Sequence, residues 1–96
     1  MVIGILQVEL AIQGAASLKD KRRVVSSVKD RFHREHQVSV AEVDMHEHRE
    51  LAVLGIVLAS SSVPHCQSTL DRVVDKLRIG RGFELRDHRL EILTGQ

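Results

Sequence analysis

The sequence has very few aromatic residues, with two phenylalanines and neither tryptophan nor tyrosine. Modules that read RNA on an open sheet stack bases on exposed aromatic rings, so we do not expect that mode of recognition here. Cys66 is the only cysteine, which excludes an intrachain disulfide and fits a reducing cytoplasm. No apolar run approaches the ~20 residues that a membrane-spanning helix needs, and the N-terminus lacks a signal-peptide pattern. We therefore expect a cytoplasmic protein.

The length and composition indicate one globular domain. The chain has 96 residues, of which 43% are hydrophobic and 28% are charged. These fractions are close to the globular average, and a chain of this length forms one core rather than two. Residues 1–96 are therefore predicted to be a single domain.

Alternating apolar residues predict four strands. The predicted strands cover residues 2–12, 38–45, 51–59 and 83–93. The alternation in the last strand slips around Asp87 and His88, as a bulge would cause. Helical spacing predicts a first helix from Leu18 to about His36 and a second of about fifteen residues that begins near Pro64.

The resulting order, β-α-β-β-α-β, predicts an α+β fold of the ferredoxin-like sandwich type. Right-handed crossovers then give an antiparallel four-stranded sheet in the spatial order 4-1-3-2, with both helices on one face. This topology brings three segments to one end of the domain: the start of the first helix, the hairpin between the second and third strands, and the end of the second helix.

The net charge of +1 conceals a basic segment. Residues 17–36 contain seven lysines and arginines against three acids. With the end of the second helix they predict a basic pole that binds an anion or RNA phosphates. Its candidate residues are Lys19, Lys21, Arg22, Arg23, Arg78 and Arg81.

Lys21 is the unusual member of this basic pole, because its helical angle falls within the apolar arc of the first helix. Its side chain either reaches past the end of the sheet to water or meets an anion there. We expect the double change Lys21→Glu with Arg22→Glu to abolish RNA binding and to leave the domain folded.

Three other residues could carry chemistry. If His46 and His48 lay in a strand, their imidazoles would share one face and could bind one metal ion, but no further ligand lies at standard spacing. Cys66 begins the apolar stripe of the second helix, which favours a core residue over a reactive thiol. We therefore predict no metal site, no cofactor and no catalytic residue.

The open face of the predicted sheet carries apolar residues such as Ile3 and Ile5. An exposed apolar patch on so small a domain indicates a partner surface. A second copy of the chain would cover it, so we expect a homodimer or a higher oligomer.

Several segments resemble the YlxP-like family of small bacterial proteins. They are residues 1–4 and 8–10, the stretch Ser-Leu-Lys-Asp-Lys-Arg-Arg-Val that starts at Ser17, and residues 38–43 and 90–93. The resemblance implies a ferredoxin-like fold and an unknown function. Family members are commonly encoded near genes of translation initiation and ribosome maturation, which implies a role around the ribosome or its RNA.

Two functions from different classes follow. The first is a non-enzymatic accessory protein whose basic pole contacts RNA phosphates during ribosome assembly or translation. The alternative is an oligomeric regulatory or scaffolding module that binds a small anionic ligand or a protein partner.

Overall fold

Four strands and two helices account for most of residues 1–95, which the computed structural model describes. In chain order they are β1 (Val2–Ile12), α1 (Leu18–His36), β2 (Ser39–Asp44), β3 (Leu51–Ser60), α2 (Val63–Arg78) and β4 (Phe83–Thr94). The strands form one antiparallel sheet in the order β2-β3-β1-β4. The predicted element order, sheet order and α+β class are confirmed.

A serine caps the N-terminus of each helix. The Ser17 hydroxyl accepts a hydrogen bond from the Asp20 amide at 3.2 Å, and the Asp20 carboxylate accepts one from the Ala16 amide at 3.1 Å. This reciprocal arrangement satisfies amides that the first turn leaves without partners. Ser62 caps α2 through the amide of His65. The helix start after Ser17 is thus confirmed.

The core lies between the sheet and the two helices. Alternate residues of β1, including Leu6, Val8 and Leu10, are fully or almost fully buried. They face Phe32 of α1 and Leu70 of α2 within the same core cluster. The remaining β1 side chains point to the open face of the sheet, which no helix covers.

Two bulges interrupt the regular pairing of the sheet. Glu9 of β1 pairs with Asp87 while Leu10 pairs with Leu85, so Arg86 is an extra residue in β4. This bulge confirms the slip predicted near Asp87. A second bulge, at Val43 of β2, was not predicted, and β2 is shorter than residues 38–45 because Met45 turns the chain at φ 60°.

None of the helices within residues 1–95 is both long enough and apolar enough to cross a membrane.

Gly4 allows α2 to approach β1 closely. A Cβ at this position would collide with the Cys66 sulfur and lie 2.8 Å from a Leu70 methyl carbon. We expect Gly4→Ala to lower the free energy of unfolding by about 1–3 kcal/mol, because a well-packed core has no room for the added methyl. Urea unfolding measures the change. Gly55→Ala is the matched control, since its nearest neighbour is the half-exposed Val43, and an equal loss in both variants would contradict this account.

Candidate nucleic-acid interface

Two arginines and a serine line one ridge of α1. Arg23, Ser27 and Arg31 follow one another at intervals of four residues, so they lie above one another on the helix surface. The ridge spans about 12 Å, at 1.5 Å per residue. It borders a cleft whose opposite wall comes from the loop after α2.

Arg81 forms that opposite wall, and the buried Phe83 lines the cleft together with Val24 and Val28. A second cleft continues from Arg31 and Arg81 toward Lys76 of α2 and also contains Glu35. We call the combined surface the interhelical groove, defined by Arg23, Ser27, Arg31, Glu35, Lys76 and Arg81. Both clefts are open surface depressions, of about 210 and 340 Å³.

The arginines of the interhelical groove are free of ion pairs with the rest of the described chain. Among residues 1–95 the ion pairs are Lys21 with Glu42 and Arg49 with Glu50. The Arg31 guanidinium lies 5.0 Å from the centroid of the Phe32 ring, a cation–π contact that orients it. A guanidinium presents five donors in a planar fork that matches the oxygens of a phosphate. The groove therefore carries four cationic side chains against one carboxylate.

Only part of the predicted basic pole lines the interhelical groove. Arg23 and Arg81 line the interhelical groove, as expected from the topology. Lys19, Arg22 and Arg78 are exposed but do not line it. Arg31 of α1 and Lys76 of α2 line the groove beside Arg23 and Arg81.

Lys21 is buried completely and cannot contact an anion in solution. Its ammonium donates to the carbonyl oxygens of Met45 at 2.7 Å, Leu51 at 3.1 Å and His46 at 3.3 Å. It also forms an ion pair with Glu42 at 2.8 Å. The predicted role of Lys21 in binding an external anion is therefore wrong, and its side chain does not reach water. The anion that it meets is the carboxylate of Glu42. Lys21 instead fixes the hairpin between β2 and β3 to the start of α1.

These contacts argue against the expectation that Lys21→Glu with Arg22→Glu would leave the domain folded. A carboxylate at position 21 would face Glu42 and three carbonyl oxygens without a donor. Burying uncompensated charge costs several kcal/mol, a large fraction of the stability of a small domain. Loss of RNA binding in that variant would report unfolding rather than a lost contact.

The sequence matches the family model DUF503, a protein of unknown function, over residues 3–90. The chain belongs to the DUF503 family. The predicted membership in a small family of unknown function is confirmed to that extent, and the YlxP-like name stays a prediction. No curated protein matches this sequence.

Among solved structures, this DUF503 protein is similar to the de novo designed protein Foldit4. The TM-score is 0.52 at 11% sequence identity, and the match covers 98% of this chain and 99% of that chain. At so low an identity the similarity shows the fold alone.

His46 and His48 of this DUF503 protein lie in the turn after β2, not in a strand. The condition under which they would share one face is therefore not met. The ring of His46 contacts the Glu42 carbonyl oxygen through Nε2 at 3.0 Å, and His48 Nδ1 accepts from the Glu50 amide at 3.1 Å. No group of three or more histidine, cysteine or acidic residues in the described part of the chain could hold a metal ion.

Cys66 is a core residue, as its place in the apolar stripe of α2 predicted. It is fully buried against Gly4 and Leu70. Burial raises the pKa of the thiol, because the thiolate would lose its solvation. The sulfur therefore stays protonated at neutral pH.

His36, at the end of α1, lies next to the interhelical groove. Its ring centroid is 5.5 Å from that of Phe32, and its Nε2 atom is buried without a hydrogen-bond partner in the described residues. Desolvation lowers the pKa of His36 most, Glu35 partly opposes this, and the nearby cations Arg72, Lys76 and Arg31 lower it further. The folded protein thus favours the neutral imidazole.

A pH dependence of stability follows from the lowered pKa of His36. The stability that the folded state gains by keeping His36 neutral is fully present above the ordinary histidine pKa of about 6.5. It is lost as the pH falls through the lower pKa of the folded state. We expect urea unfolding to show stability that declines with pH below this value, and His36→Gln to flatten that decline. An unchanged decline in the variant would assign it to other groups.

Proposed function

We propose that this DUF503 protein is a non-catalytic accessory protein of the cytoplasm that binds the phosphate backbone of RNA in its interhelical groove. The observation that carries this proposal is the convergence of Arg23, Arg31 and Arg81 on one groove, where none of them is neutralised by a carboxylate within residues 1–95. Arginine side chains arranged in this way favour phosphate ligands.

The shape of the interhelical groove favours an extended polyanion. The ridge from Arg23 to Arg31 is about 12 Å long, which exceeds the size of one phosphate group and suits a backbone that carries several. The groove is open along its length, so a chain can pass through it.

The contacts would be to phosphates rather than to bases. Phe32 and Phe83, the two aromatic residues, are both buried in the core. Stacking of bases on exposed rings therefore has no platform, and binding through phosphates carries little sequence information. We expect affinity that depends strongly on salt and weakly on sequence. Structured ribosomal RNA is the first ligand to test, because the YlxP-like resemblance implies a role near the ribosome.

The salt dependence of binding tests the proposal. Anisotropy of a labelled ribosomal RNA fragment, titrated at several salt concentrations, gives the slope of log K against log salt. We expect Arg31→Gln to reduce the magnitude of this slope by about 1, as expected for one lost phosphate contact. Arg22→Gln is the matched control, since Arg22 lies on α1 outside the groove.

Two outcomes would contradict the proposal. One is the absence of binding at low salt. The other is a slope that falls as much with Arg22→Gln as with Arg31→Gln, which would mean that the cations act through net charge and not through the groove.

The alternative function, a regulatory module that holds a small anion, is favoured by the same three arginines. A small ligand that binds only the folded state raises the melting temperature by mass action. A saturable rise with inorganic phosphate, together with no binding of the RNA fragment, would select this alternative.

A further inference from the structure

We propose that the open face of the sheet is a docking site for a basic amphipathic helix of another protein. This surface lies on the opposite side of the sheet from the interhelical groove, and the proposal does not depend on RNA binding. It rests on an apolar stripe, on the carboxylates beside the stripe and on the area that an interface requires.

The apolar stripe crosses the sheet diagonally. It begins at Leu93 of β4, which pairs with Ile3 of β1, and passes through Ile5 and its partner Val57 on β3. It ends at Val43 of β2, which covers Gly55. Leu93, Val57 and Val43 are 43%, 40% and 50% exposed, so the stripe is accessible along its whole length.

The corner of the sheet beside the stripe is acidic. Glu9 of β1 and Asp87 of β4 are directly opposite each other, an unfavourable pairing of like charges. Glu84 and Glu91 of β4 share the same face by their pairing with Ala11 and Ile5. Arg89, opposite Gln7, also lies on this face, and no carboxylate of the corner forms an ion pair within residues 1–95.

Charge complementarity selects the partner. A stripe of apolar residues with carboxylates on one side matches a helix that has apolar side chains on one face and lysines or arginines along its flank. The stripe extends across three strand spacings and about four residues along the strands, or about 20 Å in all. A helix of about 13 residues has this length.

A second copy of the chain matches this surface less well. A stable dimer buries about 800 Å² on each partner, so it would need the whole sheet face and not the stripe alone. Two such faces packed together would bury Glu9, Asp87 and Glu91 of each copy without a cation for each. A basic segment supplies those cations.

Peptide binding tests this assignment. The probe is an 18-residue amphipathic helical peptide of leucine and lysine, with a matched peptide of leucine and glutamate, each titrated by fluorescence anisotropy. We expect the lysine peptide to bind and the glutamate peptide not to bind. Amide chemical shifts of the protein should change on β1, β3 and β4 at the open face.

Two variants divide the contributions of charge and apolar contact. Glu9→Gln with Asp87→Asn should weaken binding of the lysine peptide about fivefold, as two surface charges, one of them half-buried, are removed. Val57→Lys should abolish it, because a cation would occupy the stripe. Glu47→Gln with Asp75→Asn removes the same charge from exposed positions off the face and should leave affinity unchanged.

The assignment is overturned by any of three results. Both peptides could bind equally, or the shifts could fall on α1 and α2. Sedimentation equilibrium could instead show a dimer that Val57→Lys dissociates, which would make a second copy the occupant.

Discussion

Replacing Lys21 by methionine is expected to lower the free energy of unfolding by about 3 kcal/mol, as for the loss of one partner from a buried ion pair. The methionine side chain occupies the space of the lysine methylene groups but donates no hydrogen bond. Glu42 is then left without its cation, and the carbonyl oxygens of Met45, His46 and Leu51 each lose a donor. We expect this loss of unfolding free energy at the lower end of the range for buried pairs, because the Glu42 side chain is 14% exposed and keeps some solvation.

The hairpin between β2 and β3 should loosen in the same variant. The Met45 carbonyl accepts from both Lys21 and the His48 amide, and Met45 itself has a left-handed backbone at φ 60°. A residue other than glycine holds that conformation only when its surroundings impose it. Faster amide hydrogen exchange at residues 45–51 would report the change.

Urea unfolding followed by circular dichroism measures the effect of Lys21→Met. Lys19→Met is the matched control, because Lys19 is an exposed lysine of the same helix and its change should stay within about 0.5 kcal/mol. Lys21→Met with Glu42→Leu should recover part of the loss, since no unpaired carboxylate remains. A loss below about 1 kcal/mol for Lys21→Met would contradict the role given to this lysine.

Reversing the charge of the interhelical groove is expected to remove RNA binding. Arg23→Glu, Arg31→Glu and Arg81→Glu together should weaken binding at least about 100-fold, since each lost charge-assisted contact contributes about 1 kcal/mol or more and each carboxylate repels phosphates. The fold should persist, because Arg23 and Arg81 are exposed and Arg31 is not fully buried.

The control for this triple variant changes the net charge by the same amount at the three exposed basic residues of the predicted pole that lie outside the groove. Lys19→Glu, Arg22→Glu and Arg78→Glu should weaken binding far less, through the long-range field alone. Both variants are compared with the wild-type protein by anisotropy at one salt concentration, after circular dichroism has shown that each is folded. Equal losses of RNA affinity in the two variants would show that the interhelical groove is not the RNA-binding site.

The elements of the fold could be predicted from local patterns. Ser17 and Asp20 predicted the start of α1, and the alternation from Val2 indicated which side of β1 faces the core. The slip near Asp87 corresponds to the extra residue Arg86 in β4. Each of these features depends on residues close together in the chain, so sequence reasoning reaches them.

The site of Lys21 depends on residues that lie 21 to 30 positions farther along the chain, and local reasoning missed it. One signal was present. Glu42 is in phase with Val38 and Val40, which places its carboxylate on the core face of β2. A lysine in the apolar arc of a helix and a glutamate on the core face of a neighbouring strand could have been paired from the predicted topology.

The composition of the interhelical groove was predictable in part. Helical spacing relates Arg31 to Arg23 by two turns of α1. The approach of Arg81 depends on the loop after α2, where Gly82 has a φ of 86°, and periodicity does not specify such a loop. RNA contact, self-association and the cytoplasmic location stay predictions.

The most direct test of the proposed groove is to map RNA on the folded wild-type protein by nuclear magnetic resonance. A short structured ribosomal RNA is added to the labelled protein at low salt and then at high salt. We predict amide shift changes at residues 23–31 of α1 and around Arg81 that disappear at high salt, with β1, β3 and β4 unchanged at the open face. Changes centred on Lys19, Arg22 and Arg78, or on the open face of the sheet, would contradict this prediction.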